Sequence, residues 1–155
     1  MSEPKLNRDE RAARRALEKQ LLPAFKQQTK EDGWGYLKPT AFRRVGEWFV
    51  AVNPIVYTER YRTALQATVK PFAIDDLMSR ICGFEGLENA ALSLRARGPH
   101  CLVLPMWTID IESNGSLPDM LNAAAAFLRD VVARVNALAL TDFVSFAGEA
   151  PPPGR

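Results

Sequence analysis

The sequence predicts an α+β fold: an antiparallel sheet of about four to six strands, covered on one face by N- and C-terminal helices. Three observations lead there. Ala13, Leu17, Leu21 and Phe25 recur at helical spacing near the start of the chain. Between residues 38 and 70 the apolar period shortens to two, around a Gly46-Glu47 reversal. Leu121, Ala124, Leu128, Val131, Val135 and Leu138 then restore a helical stripe.

Taken in order, Asn7 followed by Glu10 fits a capping box and starts the first helix near Arg8. Arg8, Arg11, Arg15 and Lys19 populate its polar side. Pro23 lacks an N–H and crowds the preceding turn, so the helix is expected to stop near Leu22, with one further turn to Gln28 at most. Lys30-Glu31-Asp32-Gly33 reads as a loop. Strands follow at Lys38 to Val45, Trp48 to Asn53 and Tyr61 to Lys70, linked as a meander. Gly46 tolerates positive φ, which lets the first two pair through a tight turn. Trp48, Val50 and Val52 share one face, as do Thr63, Leu65, Ala67 and Val69. Ala64, Gln66 and Thr68 line the wetter side. Residues 53–60, with Pro54, read as a connection.

Pro71 closes the third strand, and Asp75 or Asp76 opens a short helix with Ile74, Leu77, Met78 and Ile81 as its apolar stripe and Gly83 as its stop. Leu92 to Arg95 alternates as a short strand. Cys101 to Glu112 forms another, whose Pro105 marks an edge or a bulge. Ser116, Pro118 and Asp119 begin the last helix, Pro118 to Ala139. Phe143 to Phe146 add a final apolar strand or clasp. Residues 1–149 read as one domain and 150–155 as a frayed tail.

Composition is that of a soluble globular protein, with 47% hydrophobic and 25% charged residues. Charge is unevenly placed. Residues 1–70 carry 14 Lys/Arg against 8 Asp/Glu, and residues 71–155 carry 6 against 10, so an acidic partner would be guided to the first half. No apolar run approaches membrane-spanning length and no signal peptide is visible, so the expected home is the cytoplasm, with no membrane partner. Cys82 and Cys101 have no metal-binding spacing and read as buried free thiols, a disulfide between them requiring an oxidising compartment.

No catalytic signature, cofactor motif or metal set is present in the sequence, so none is expected. His100 beside Cys101 points to the opposite face of a strand and reads as a surface histidine. Asp110 and Glu112 fall on one strand face, either as a carboxylate pair or as a solvated edge. The candidate binding residues are Arg43, Arg44, Tyr57, Arg60, Tyr61, Arg62 and Lys70, a group of cations among aromatics on the meander. Such residues suit protein interfaces and also phosphates and bases. Arg43 and Arg44 alternate, so they cannot share a face.

The N-terminal helix with Leu-Leu-Pro-Ala-Phe, the hairpin Phe42-Arg43-Arg44-Val45-Gly46-Glu47-Trp48-Phe49 and the segment Val69-Lys70-Pro71-Phe72-Ala73-Ile74-Asp75-Asp76-Leu77 resemble uncharacterised bacterial families of the DUF4304 kind. The resemblance covers residues 15–95 at most. It implies a compact bacterial α+β protein and brings no catalytic residue. By analogy of build alone, it suggests an immunity-like, antitoxin-like or accessory protein.

Three functions follow as expectations. The first is a non-enzymatic module binding another protein through the Arg/aromatic face, with a homodimer over an uncovered sheet face as one form of it. The second is a nucleic-acid binder using the basic first half. The third is a small-ligand or enzymatic domain with a pocket between sheet and long helix, near Trp107 and Asp110.

Overall fold

An asparagine cap sets the start of α1 (Arg8–Glu31). The Asn7 carboxamide oxygen accepts from the N–H groups of Asp9 and Glu10, each at 2.9 Å, and the Glu10 carboxylate accepts from the Asn7 N–H at 2.6 Å. This is the predicted capping box. The helix does not stop at Pro23 but continues to Glu31. A proline inside a helix costs about 3 kcal/mol. Leu21 and Phe25, on either side of it, are fully buried, and two such side chains contribute about 3–6 kcal/mol. Packing overrides the local stop.

The computed structural model describes residues 5–96, 107–112 and 115–139. Among these, five strands form one antiparallel sheet in sequential order: β1 (Gly35–Leu37), β2 (Thr40–Val45), β3 (Trp48–Val56), β4 (Thr63–Pro71) and β5 (Trp107–Asp110). The predicted reversal is present, with Val45 paired to Trp48 and Gly46 at φ 56°. β3 is longer than expected, running through Pro54 to Val56. β2 pairs with it only as far as Val52, so Pro54 has a strand neighbour on one side alone, where a missing N–H is tolerated. β4 begins at Thr63, because Tyr61 and Arg62 belong to a turn closed by the Tyr57 N–H donating to the Arg62 carbonyl at 3.0 Å.

One face of the sheet carries the main core. Trp48, Val50, Val52, Leu65, Ala67, Val69 and Ile111 pack there against Leu21 and Phe25 of α1 and against α3 (Leu117–Asn136). From α3 come Met120, Ala124, Phe127, Leu128, Val131 and Val135. Terminal helices on one face are thus as predicted.

The reverse face differs from its expected wet character. Phe42, Phe49 and Ala51 meet Phe72 of α2 (Phe72–Ile81), with Leu37, Leu92 and Ala96 at the margin. Phe42 stacks on Phe49 at 6.1 Å between centroids. α2 keeps only part of its predicted stripe: Ile74 packs against the main core and Met78 is half-buried, but Phe72, Asp75 and Ser79 are the buried positions, while Leu77 and Ile81 are exposed. Asp75 faces inward because it meets two buried cations. Residues Leu92–Ala96 form a 3-10 turn rather than a strand, held where the Arg95 guanidinium reaches α2.

Cys82 is an exposed free thiol, not a buried one, since it caps the exposed end of α2. The expectations for His100, Cys101, Pro105, Phe143 to Phe146 and residues 150–155 lie outside the described residues.

Candidate functional site

The predicted binding residues do not form one surface. Arg43 points to the main-core side of the sheet, near the Asp32 carbonyl at the end of α1. Arg44 lies on the reverse face, its guanidinium 4.5 Å from the centre of the Phe72 ring. Their opposite placement is the one that alternation predicts. Tyr57, Arg60, Tyr61 and Arg62 sit together in the β3–β4 turn. Arg60 and Arg62 lie over the Tyr57 ring at 4.6 and 5.3 Å. Lys70 is buried, so it does not join them.

Most of these charges are already engaged within the fold. Lys70 Nζ is 2.7 Å from Asp75 Oδ1 and donates to the Arg95 carbonyl at 2.9 Å. Arg95 contacts Asp75 at 2.8 Å and Asp76 at 2.6 Å, and its guanidinium lies 4.4 Å from the Phe72 ring centre. Two buried cations therefore share one buried carboxylate, which fastens α2 and the Leu92–Ala96 turn to the sheet. Charges this deep persist only when paired and hydrogen-bonded.

Arg14 does the same at the other end of the sheet. It occupies the α1 face where Ala13 was expected, and Ala13 is exposed. Its guanidinium donates to the carbonyls of Tyr57 and Arg62, to Thr63 Oγ1 at 3.0 Å and to the Glu112 carboxylate. Thr63 Oγ1 also donates to Glu112 Oε2 at 2.9 Å. Asp110 and Glu112 consequently do not share a face. β5 ends at Asp110, which lies 3.6 Å from Arg62, and Glu112 turns in to Arg14. Tyr61 donates to Glu10 at 2.8 Å, and this bond, first of all, raises the Tyr61 phenol above its ordinary value. Glu10 is lowered by the Asn7 N–H and then by Tyr61.

The space between sheet and α3, where a pocket was expected, is filled by Leu128 and Val135, with Leu121 packed beside them. Among the described residues, no group of three His, Cys, Asp or Glu side chains converges to hold a metal ion.

A different region is left open. A cleft of about 650 Å³ lies between α1 and β1, lined by Glu18, Lys19, Leu22, Pro23, Lys26, Lys30, Tyr36, Leu37 and Lys38. Lys19, Pro23, Lys26 and Lys30 recur at i, i+4, i+7 and i+11, which is one helical stripe. Lys38 comes from the turn after β1. The chain has six lysines, and four of them stand here. All four are exposed, and among the described residues none makes an ion pair. The Lys26 ammonium lies 5.9 Å from the centre of the Tyr36 ring. Burial raises the Tyr36 phenol above its ordinary value, so it remains an O–H donor at neutral pH.

The cleft can hold carboxylates or phosphates. It brings together no nucleophile and oriented base. Its signal was present in the sequence as the 19/26/30 spacing, which the helix stop placed at Pro23 concealed. No family model, characterised protein or solved structure matches the chain.

Proposed function

We propose that this protein is a non-enzymatic binding module whose partner is a protein with an acidic surface, taken at the α1–β1 cleft. One observation supports this above the rest: four exposed lysines without ion pairs among the described residues border one concavity, whereas Lys70, Arg14 and Arg95 are consumed inside the fold. Four lysines against the single carboxylate of Glu18 leave a net positive rim, and such charge beside a low-dielectric wall steers the opposite charge inward. Leu22, Pro23, Leu37 and the Tyr36 ring add an apolar floor and a hydrogen-bond donor, the mixture that protein interfaces use. An immunity- or antitoxin-type role is one form such a module takes. A reducing cytoplasm suits the exposed Cys82 thiol.

A nucleic acid is the competing partner. Single strands are held by rows of aromatic platforms as well as by charge, and this cleft offers one ring, Tyr36. That favours a protein. The test is fluorescence anisotropy at low salt with a short oligo-glutamate peptide and a single-stranded oligonucleotide of equal charge. The peptide should bind, weaken as salt rises, and lose about tenfold in affinity, or about 1.4 kcal/mol, in the Lys26→Glu/Lys30→Glu variant. Binding only of the oligonucleotide, or peptide binding that the double reversal leaves intact, would overturn the proposal.

A further inference from the structure

We infer that the partner enters as an extended acidic segment that adds to the free edge of β1, beside the lysine row; this rests on the function proposed above and specifies its geometry. β1 is the terminal strand of the sheet and pairs only with β2 among the described residues. Its outer edge therefore presents backbone N–H and C=O groups without a strand partner among the described residues, the template on which a peptide can be added. The same strand supplies Tyr36 and Leu37 to the cleft wall. Edge and charge are thus parts of one site.

The two faces of such an added strand would meet different surroundings. Tyr36 packs toward the main core and α1, while Leu37 packs toward the reverse-face cluster. Residues of an extended segment alternate between the same two sides. Those on the α1 side face Lys19, Lys26 and Lys30, which outnumber the one acid there, Glu18, and Lys38 lies at the strand's end. Those on the other side lie with Leu37. The recognised pattern is therefore alternating, acidic then apolar. Lys19 to Lys30 spans roughly 16 Å of helix, which an extended segment of about five residues matches.

Gly35 makes the edge dependent on its neighbours. A Cβ there would sit 2.4 Å from the Phe42 ring, which lies over this glycine from the paired position on β2. The Phe42 ring thus packs directly on the Gly35 backbone where β1 pairs with β2. A peptide that joins this edge adds to a strand already paired with β2, which lowers the entropic cost of binding.

Lysines at a sheet edge also deter self-association, so the test must separate attraction by charge from strand addition. Three synthetic peptides of one composition serve: alternating Glu and Val, the same residues with Glu and Val in blocks, and the alternating peptide N-methylated at every second amide. The alternating peptide should bind the full chain at least about tenfold tighter than the other two, and it should slow hydrogen exchange at backbone amides within Gly35–Leu37. The Lys26→Glu/Lys30→Glu variant should lose this binding while keeping its fold, both positions being exposed. Equal binding of all three peptides with unchanged exchange in β1 would overturn strand addition yet leave an acidic-partner site in place. Absence of binding by every peptide would overturn both.

Discussion

The reverse face of the sheet and the α1–β1 cleft both concentrate positive charge, yet they spend it differently. On the reverse face, Lys70 and Arg95 are buried about Asp75, and the Arg95 backbone carbonyl accepts from Lys70. In the cleft, Lys19, Lys26, Lys30 and Lys38 are exposed and make no ion pair among the described residues, with Glu18 as the one acid of the lining. The first arrangement closes the fold, and the second leaves charge available to something else. A cation's role is therefore read from its partners and depth, not from its abundance in a segment.

Breaking the closed side should produce the largest effect. Asp75→Ala leaves Lys70 and Arg95 buried without their shared carboxylate, at a cost of about 3–5 kcal/mol. That is a large share of the stability of an ordinary domain. Urea denaturation should show the loss, while Lys26→Glu/Lys30→Glu, which gives up the Tyr36 contact and the favourable charge in the last turn of α1, costs only about 1–2 kcal/mol. Similar costs for the two would erase the contrast.

Arg14→Leu probes the other closed point. It removes donors to the carbonyls of Tyr57 and Arg62, to Thr63 and to Glu112. Stability should fall by about 2–4 kcal/mol, with faster amide exchange in residues 57–63. A milder test sharpens the open side. Gly35→Ala forces the Phe42 ring to move and should cost about 1–3 kcal/mol, with the exchange increase confined to β1 and β2.

The smallest effect is electrostatic. In Glu10→Gln, the Tyr61 phenol should fall back toward its ordinary value of 10.0, since its hydrogen bond to the carboxylate is the main cause of the rise. Ultraviolet titration of the phenolate reports it. Glu10 itself is held below its usual range. Its contribution to folding is therefore complete above the ordinary carboxylate value and is lost as pH falls through the folded one. A Tyr61 titration unchanged by the substitution would remove this link between α1 and the β3–β4 turn.

Period and turn chemistry made the main core legible. The alternation of Trp48, Val50 and Val52, the reversal at Gly46 and the stripe from Ala124 to Val135 all reach the core as expected. What pattern could not show was compensation between distant residues. Ala13 looked like the helical face because Arg14 is charged, yet Arg14 goes in, satisfied by groups 43 to 98 positions away. Leu77 and Ile81 looked buried because nothing local reveals that Asp75 must meet Lys70 and Arg95. Pro23 looked like a stop because its penalty is local while the burial of Leu21 and Phe25 is not. The cleft was hidden for that same reason, its lysines lying on either side of Pro23.

Backbone amide shifts of the full chain on titration with oligo-glutamate would show which of the two regions takes an acidic partner. Perturbations should gather in residues 19–38, at the cleft and along β1, and diminish as salt is added. Perturbations gathered instead at Arg43, Arg44 and the 57–62 turn, or none at concentrations where Lys26→Glu/Lys30→Glu and the native chain behave alike, would contradict binding at the cleft.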